Sequence, residues 1–298
     1  MPPWAFVVLY GLRSMGRIGR GWALTKQSWA VVRGDRSLLV FPVVSAVCAL
    51  IVAAVFFGVG AGLGAAADAI WPAVPFIVVG VYLLIVIGQF CAVALAACAT
   101  RALDGEDTTF GEGVAAARSR MGIILGWSAV VLVVGAAITA LQALLRDAAG
   151  NVVGSIIGGL ANFAWTVATF FVIPVIALEG LGPKDAIKRS TGIIKERWGE
   201  SVVGSATIGG AIFLVGILPG ILLVVAGAAL TGSTAALGAV VIAIGVVVIV
   251  IAALLQTTLN AVFRVALFRF ATQGDVSGRF SQDQLAGAFR PKSGRSAV

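Results

Sequence analysis

Chemistry has few places to start in this chain. It contains no histidine, which removes histidine general bases, Ser-His-Asp and Cys-His nucleophilic sites, and nearly every catalytic zinc arrangement. Its three cysteines, Cys48, Cys91 and Cys98, all lie inside apolar runs. Cys91 and Cys98 share a helix face at i, i+7, too far apart for a disulfide and without metal-ligand spacing, so the cysteines read as small apolar side chains. No G-x-x-x-x-G-K-[ST] string occurs, which excludes a P-loop. No cofactor or metal is expected, and the chain reads as non-enzymatic.

The remaining polar candidates sit near the ends of apolar runs. Glu179 closes one such run, where an unpaired carboxylate is poorly solvated. A guanidinium can bind it through two parallel hydrogen bonds, and Arg264 or Arg189 is the expected partner. Gln256, Asn260 and Arg264 repeat at i, i+4, i+8, forming one polar stripe that would face protein or water rather than lipid. That stripe reads either as a structural network or as a polar vestibule. Asn162, closest to mid-membrane, is accounted for by an interhelical hydrogen bond. Pro174 and Pro219 break two apolar helices and free the carbonyls of Phe170 and Val215. Such breaks are either simple kinks or the mark of a transport site.

The elements that carry these residues are set by hydropathy. Of 298 residues, 60% are hydrophobic and 11% charged, against roughly 25% charged in soluble domains. Six runs are long enough to cross a bilayer, which takes about 20 apolar residues: Leu38–Leu63, Pro72–Ala99, Met121–Leu145, Val152–Leu178, Ser201–Ala228 and Ala235–Phe263. Three connections, Gly64–Trp71, Arg146–Asn151 and Ala229–Thr234, are short and nearly uncharged. The others are longer and basic, and 20 of the 21 Lys and Arg residues fall on their side, with Arg146 the exception. Positive residues near membrane segments stay in the cytoplasm. The expectation is therefore three hairpins in the cytoplasmic membrane, with both termini inside.

The basic segments carry a helical stripe of apolar or permissive residues at offsets 0, 4, 7 and 11. In the N-terminal arm it is Ile18, Trp22, Thr25, Trp29. In the next segment it is Phe110, Val114, Ala117, Met121, opened by a capping box at Thr109 and Glu112. In the third it is Ile187, Thr191, Ile194, Trp198, with Pro183 at the first helical position. A further short helix is expected in the tail, capped by Ser281 and Gln284, with Leu285 and Phe289 on one face. The predicted fold is all-α: a polytopic membrane bundle of six transmembrane helices, arranged as three repeats of an interfacial amphipathic helix plus a transmembrane hairpin. Residues 1–14 read as an N-terminal extension, either an interfacial foot or a segment ahead of a natural start at Met15. Residues 15–270 form the membrane domain and 271–298 a cytoplasmic tail. Gly60/Gly64, Gly154/Gly158 and Gly216/Gly220 are small-xxx-small pairs that suit close helix packing, within the chain or between subunits.

The string from Pro174 through Glu179-Gly180, Gly182-Pro183, Ala186 and Arg189-Ser190 to Trp198, with an early Gly19–Trp29 segment (GRGWALTKQSW), resembles a family of uncharacterised six-helix prokaryotic membrane proteins. It is more distantly similar to the membrane domain of some glycerophosphodiester phosphodiesterases. The likeness runs from about Met15 to Phe270. It implies a fold and a membrane address without an activity, because the phosphodiesterase barrel and its histidines are missing from this sequence.

Two functions fit. The leading one is a non-enzymatic scaffold or accessory subunit whose basic cytoplasmic helices contact anionic lipid or a partner, either a second copy or another membrane protein. The alternative is a transporter or channel for a small molecule or lipid that uses the breaks at Pro174 and Pro219. No nucleic-acid partner is expected.

Overall fold

Long apolar runs with few backbone breakers leave the chain one way to satisfy its amides away from water, and it takes that way: the described residues are helical, without a strand among them. The computed structural model describes residues 36–197, 213–231 and 234–273. They fall into two compact units.

The first unit comprises Val40–Ala102 and Glu106–Glu196. Helices α1 (Val40–Ala66) and α2 (Val74–Leu103) form a hairpin in which Gly60 and Gly64 face Ala73, Phe76 and Ala69. Helix α3 (Phe110–Arg118) begins at Thr109, whose hydroxyl accepts the Glu112 N–H while the Glu112 carboxylate accepts the Thr109 N–H. It buries Gly113 and Ala117, and Gly113 lies so close to the Phe41 ring and the Cys98 sulfur that a side chain there would collide with both. The ring of Phe110 packs on that of Phe41 with centroids 5.0 Å apart. The expected stripe ends early, because α3 stops at Arg118 and Met121 already opens the next helix.

Helix α4 (Met121–Ala168) turns back on itself at Gly150, whose φ of 85° is a left-handed conformation open to glycine. Gly154 and Gly158 then lie against Arg146 and Gln142 of the first limb. The six-residue loop expected at Arg146–Asn151 is thus reduced to a hinge. A short helical segment, α5 (Val172–Pro174), follows a turn at Thr169–Phe171 and runs into one π turn, Val175–Glu179. Helix α6 (Pro183–Arg197) completes the unit, with Pro183 at its first position as expected.

In the second unit a π turn, Phe213–Ile217, leads into α7 (Leu218–Leu230), and α8 spans Ala235–Gln273. Glycines meet across this hairpin: Gly220 faces Gly245, and Gly227 faces Gly238. Both halves of each pair are close enough to the opposing carbonyl that an added methyl would sit at 3.0 Å or less. Gly216 lies against Ala252 in the same way. All three small-xxx-small pairs therefore pack inside their own hairpins.

Among the described residues, five helical segments are long and apolar enough to cross a membrane: Ser37–Ala66, Val74–Leu103, Met121–Ala148, Gly150–Glu179 and Ala235–Thr272. The expected span Ser201–Ala228 is described only from Phe213 onward, and α7 is a shorter apolar helix. The first amphipathic segment with Ile18, Trp22, Thr25 and Trp29, the tail helix at Ser281–Phe289, and Trp198 lie outside the described residues. Many large apolar side chains are exposed, among them Leu50, Val133, Leu160 and Leu222. Such faces would be an aggregation liability in water, and they fit a membrane protein.

One boundary differs usefully from expectation. The last helix continues ten residues past Phe263, so Arg264 lies within α8 rather than at its end. Val265, Ala266, Leu267 and Phe268 are buried, and a charged residue interrupts an apolar run without interrupting backbone hydrogen bonding. Four residues before the end of α8, Arg269 Nη1 donates to the Asp104 carboxylate at 2.8 Å.

Candidate functional site

The motif that runs from Pro174 to Ser190 comes together as one joint within the first unit. A proline inside a helix removes an N–H and its ring presses on the carbonyl four residues earlier, here that of Phe170. The helix yields at that place: the turn occupies Thr169–Phe171, one turn before Pro174. Phe171 is fully buried, and its N–H is donated to the Ser190 hydroxyl at 3.1 Å. Ser190 is itself fully buried. Its side chain thus substitutes for the helical acceptor lost at the break.

Beyond Pro174 the chain makes the π turn and ends it at Gly180. Gly180 adopts a left-handed conformation (φ 65°) and its N–H closes on the Val175 carbonyl at 3.1 Å, a C-terminal cap that favours glycine. Glu179, the last residue of that turn, receives Arg189 of α6 in a forked contact: Nε lies 3.2 Å from both carboxylate oxygens and Nη2 3.1 Å from Oε1. The pair is partly exposed, at 28% for Glu179 and 42% for Arg189, so its net contribution is about 1 kcal/mol or less. Of the two expected partners, Arg189 holds Glu179. Gln256, Asn260 and Arg264 share one face of α8, all half-buried, in the other unit.

Helix α6 docks by Ala186, Ser190 and Ile193, all buried. The expected apolar row, Ile187, Thr191 and Ile194, is half-buried and lies one position round the helix. The docking contact is made by Ala186 and Ser190, small side chains that do not register as hydrophobic, beside the expected apolar row. Arg120, at the start of α4, also belongs to this corner: its guanidinium lies over Gly180, and its Nε is buried without a hydrogen-bond partner among the described residues. Hydropathy gave no signal for Arg120 or Ser190.

Polar side chains inside the spans mostly bond to their own helix. Ser128, Thr139, Thr166, Thr169, Thr257 and Thr258 each donate to the carbonyl four residues earlier. Asn162 does the same to Gly158, so the interhelical bond expected of it is replaced by an intrahelical one. Two contacts cross between α2 and α4 among the described residues: Trp127 Nε1 donates to Gln89 Oε1 at 3.2 Å and the Tyr82 hydroxyl to the Leu125 carbonyl at 3.1 Å, while Trp127 stacks on Trp165. Pro219 sits at the start of α7, directly after a π turn, as Pro174 sits directly before one. Among the described residues no group of three or more Cys, Asp or Glu side chains is placed to hold a metal ion.

On the α2–α3 corner, Arg101 bridges Glu106 at 2.8 Å and Glu112 at 2.7 Å. The Arg101 guanidinium, joined by the backbone and hydroxyl of Thr109, lowers the Glu112 carboxyl to about 2.

Long, outwardly apolar helices with a polar joint at one end define a helical protein of membrane type. A family model covering residues 73–278 matches the chain, and the protein belongs to that family, described as a family of unknown function (DUF6159). Nothing in that match links it to glycerophosphodiester phosphodiesterases. No curated protein and no solved structure matches the chain.

Proposed function

We propose that this protein is a non-enzymatic module of the cytoplasmic membrane, a scaffold or accessory subunit with six spans and both termini in the cytoplasm. The observation that carries the reading is the use made of its polar groups. Several side chains that could line a transport path or an active site are engaged in holding helices: Ser190 on the Phe171 amide, Arg189 on Glu179, and the span hydroxyls on their own backbones. A chain without histidine has few groups left for general acid–base or nucleophilic work. The one-sided distribution of Lys and Arg supports the orientation, and reporter fusions after Asp147 (outside) and Lys195 (inside) test it.

In this reading the three basic segments are repeats of an interfacial helix ahead of a hairpin, and α3 and α6 are two of them. The resemblance to the phosphodiesterase membrane domain suits the same role, a membrane module to which activity is supplied by something else. The transporter alternative rests on the breaks beside Pro174 and Pro219 and their π turns, a feature found often at functional sites. Purification of the tagged chain in mild detergent, with mass spectrometry of what accompanies it, separates the two. A stoichiometric membrane-protein partner supports the scaffold; solute accumulation by vesicles holding the pure chain contradicts it.

A further inference from the structure

Helix α6 is held in one rotational setting. Ser190 is bonded to the Phe171 amide, and Ala186 and Ile193 are buried on the same face. Arg189 is fixed to Glu179 on an adjoining face. With those contacts made, the other faces have defined directions. At about 100° per residue, Lys184, Lys188 and Lys195 fall within about 40° of one another, so they form one row. All three are exposed.

What flanks that row is the informative part. On one side lies the half-buried apolar row of Ile187, Thr191 and Ile194. On the other side lie both carboxylates of the helix, Asp185 and Glu196, each exposed. Arg189 also lies on the carboxylate side but is taken up by Glu179; the lysines and carboxylates that remain are sorted to separate sides, which a helix solvated all round has no reason to do. A helix lying along a membrane surface does have a reason. Its apolar row enters the edge of the hydrocarbon, its lysines reach the phosphate level beside it, and its carboxylates are turned toward water.

We propose that the Lys184–Lys188–Lys195 row of α6 is a docking surface for the phosphate headgroups of anionic membrane lipids. The inference rests on the membrane orientation proposed above. It adds a residue-level site and a ligand class, and gives the joint at Ser190 and Glu179 a purpose: it aims the lysines. The row extends about 16 Å at 1.5 Å per residue, enough to meet more than one headgroup. Lysine is suited to this role because its ammonium is a point charge on a flexible stem that follows a mobile phosphate.

The test uses the full chain in phosphatidylcholine vesicles with a trace of spin-labelled phosphatidylglycerol or spin-labelled phosphatidylcholine. The motionally restricted fraction of each label gives their relative association with the protein. Phosphatidylglycerol is expected to associate about threefold more strongly. That preference should fall toward equality in K184Q/K188Q/K195Q and persist in D185N/E196Q, which alters the opposite charges. An unsubstituted chain without preference, or a triple variant that keeps it, overturns the proposal; the former would fit a row reserved for an acidic protein. Displacement of the label by inorganic phosphate, but not by chloride at equal ionic strength, would show a small-anion site instead and also overturns it. The scaffold reading fails separately, by solute accumulation, which leaves the lipid preference unaffected.

Discussion

Ser190 accepts the backbone N–H of Phe171 at 3.1 Å across the break that precedes Pro174. Both residues are fully buried, so water cannot take over the bond. A buried donor left without an acceptor costs about 1–3 kcal/mol. Ser190→Ala should therefore lower the Tm in detergent clearly, whereas Ser119→Ala, at an exposed hydroxyl that donates to the Ala116 carbonyl and accepts from Arg120 where water can replace both bonds, should not. Equal Tm values for the two variants would remove the joint from the account.

Glu179 and Arg189 form the second fastening of the same joint. Because the pair is partly exposed, its loss should cost about 1 kcal/mol or less. Glu179→Gln is expected to reduce thermal stability by that amount, and Glu196→Gln, whose carboxylate is exposed on α6, by less. The exchanged pair, Glu179→Arg with Arg189→Glu, should recover part of the loss. If the exchange is no better than either single change, the contact is not an energetic coupling.

How far the sequence revealed this arrangement depended on what each residue had to do. Glu179 and Arg189 were legible because a carboxylate at the end of an apolar run needs a cation, and one lay a few turns away. Ser190 was not, since a serine between Arg189 and Thr191 has no hydropathic signature and its role depends on a break two elements earlier. The capping box at Thr109 and Glu112 was readable because all its parts are local. The end of α8 was misplaced because Arg264 and Arg269 terminate a hydropathy run without terminating a helix. At Gly150 the opposite holds: Arg146, Asp147 and Asn151 are polar, as in a loop, yet helical, and the chain reverses at the glycine alone.

Glu112 gives the α2–α3 corner a pH dependence. Its ordinary value is 4.5 and the Arg101 guanidinium, with Thr109, brings it to about 2. A carboxyl whose folded value is depressed stabilises the fold above its ordinary value, and that contribution is lost as pH falls through the folded value. The Tm difference between the unsubstituted chain and Glu112→Gln should hold steady from neutral pH to about 4.5 and vanish toward 2. A difference constant across that window would mean that the Arg101 contact contributes nothing in solution.

The glycine contacts of the α7–α8 hairpin should be intolerant of side chains. A methyl at Gly220 would meet the Gly245 carbonyl at 3.0 Å and the Ile249 amide at 3.2 Å, both backbone atoms that cannot rotate away. Gly220→Ala is expected to cost about 1–3 kcal/mol, typical of overpacking. Gly58→Ala, with nothing within 4 Å of the added methyl, should be neutral or slightly stabilising through better helix propensity. Unfolding followed by hydrogen exchange or Tm in detergent distinguishes them, and equal effects would contradict the close approach.

The central claim is that the break beside Pro174 is a sealed structural joint and not part of a transport path. The most direct measurement is thiol accessibility. Cys48, Cys91 and Cys98 are replaced by Ala, and single cysteines are placed at Phe171, Val172 and Val175, which are fully buried. Each variant, in reconstituted vesicles, is exposed to a membrane-impermeant, water-soluble thiol reagent, with Lys195→Cys on the exposed face of α6 as reference. The account predicts rapid reaction at position 195 and none at 171, 172 or 175 over the same period. Reaction at any of the three approaching the rate at 195 would show water in the break, and would contradict the scaffold reading in favour of a pathway.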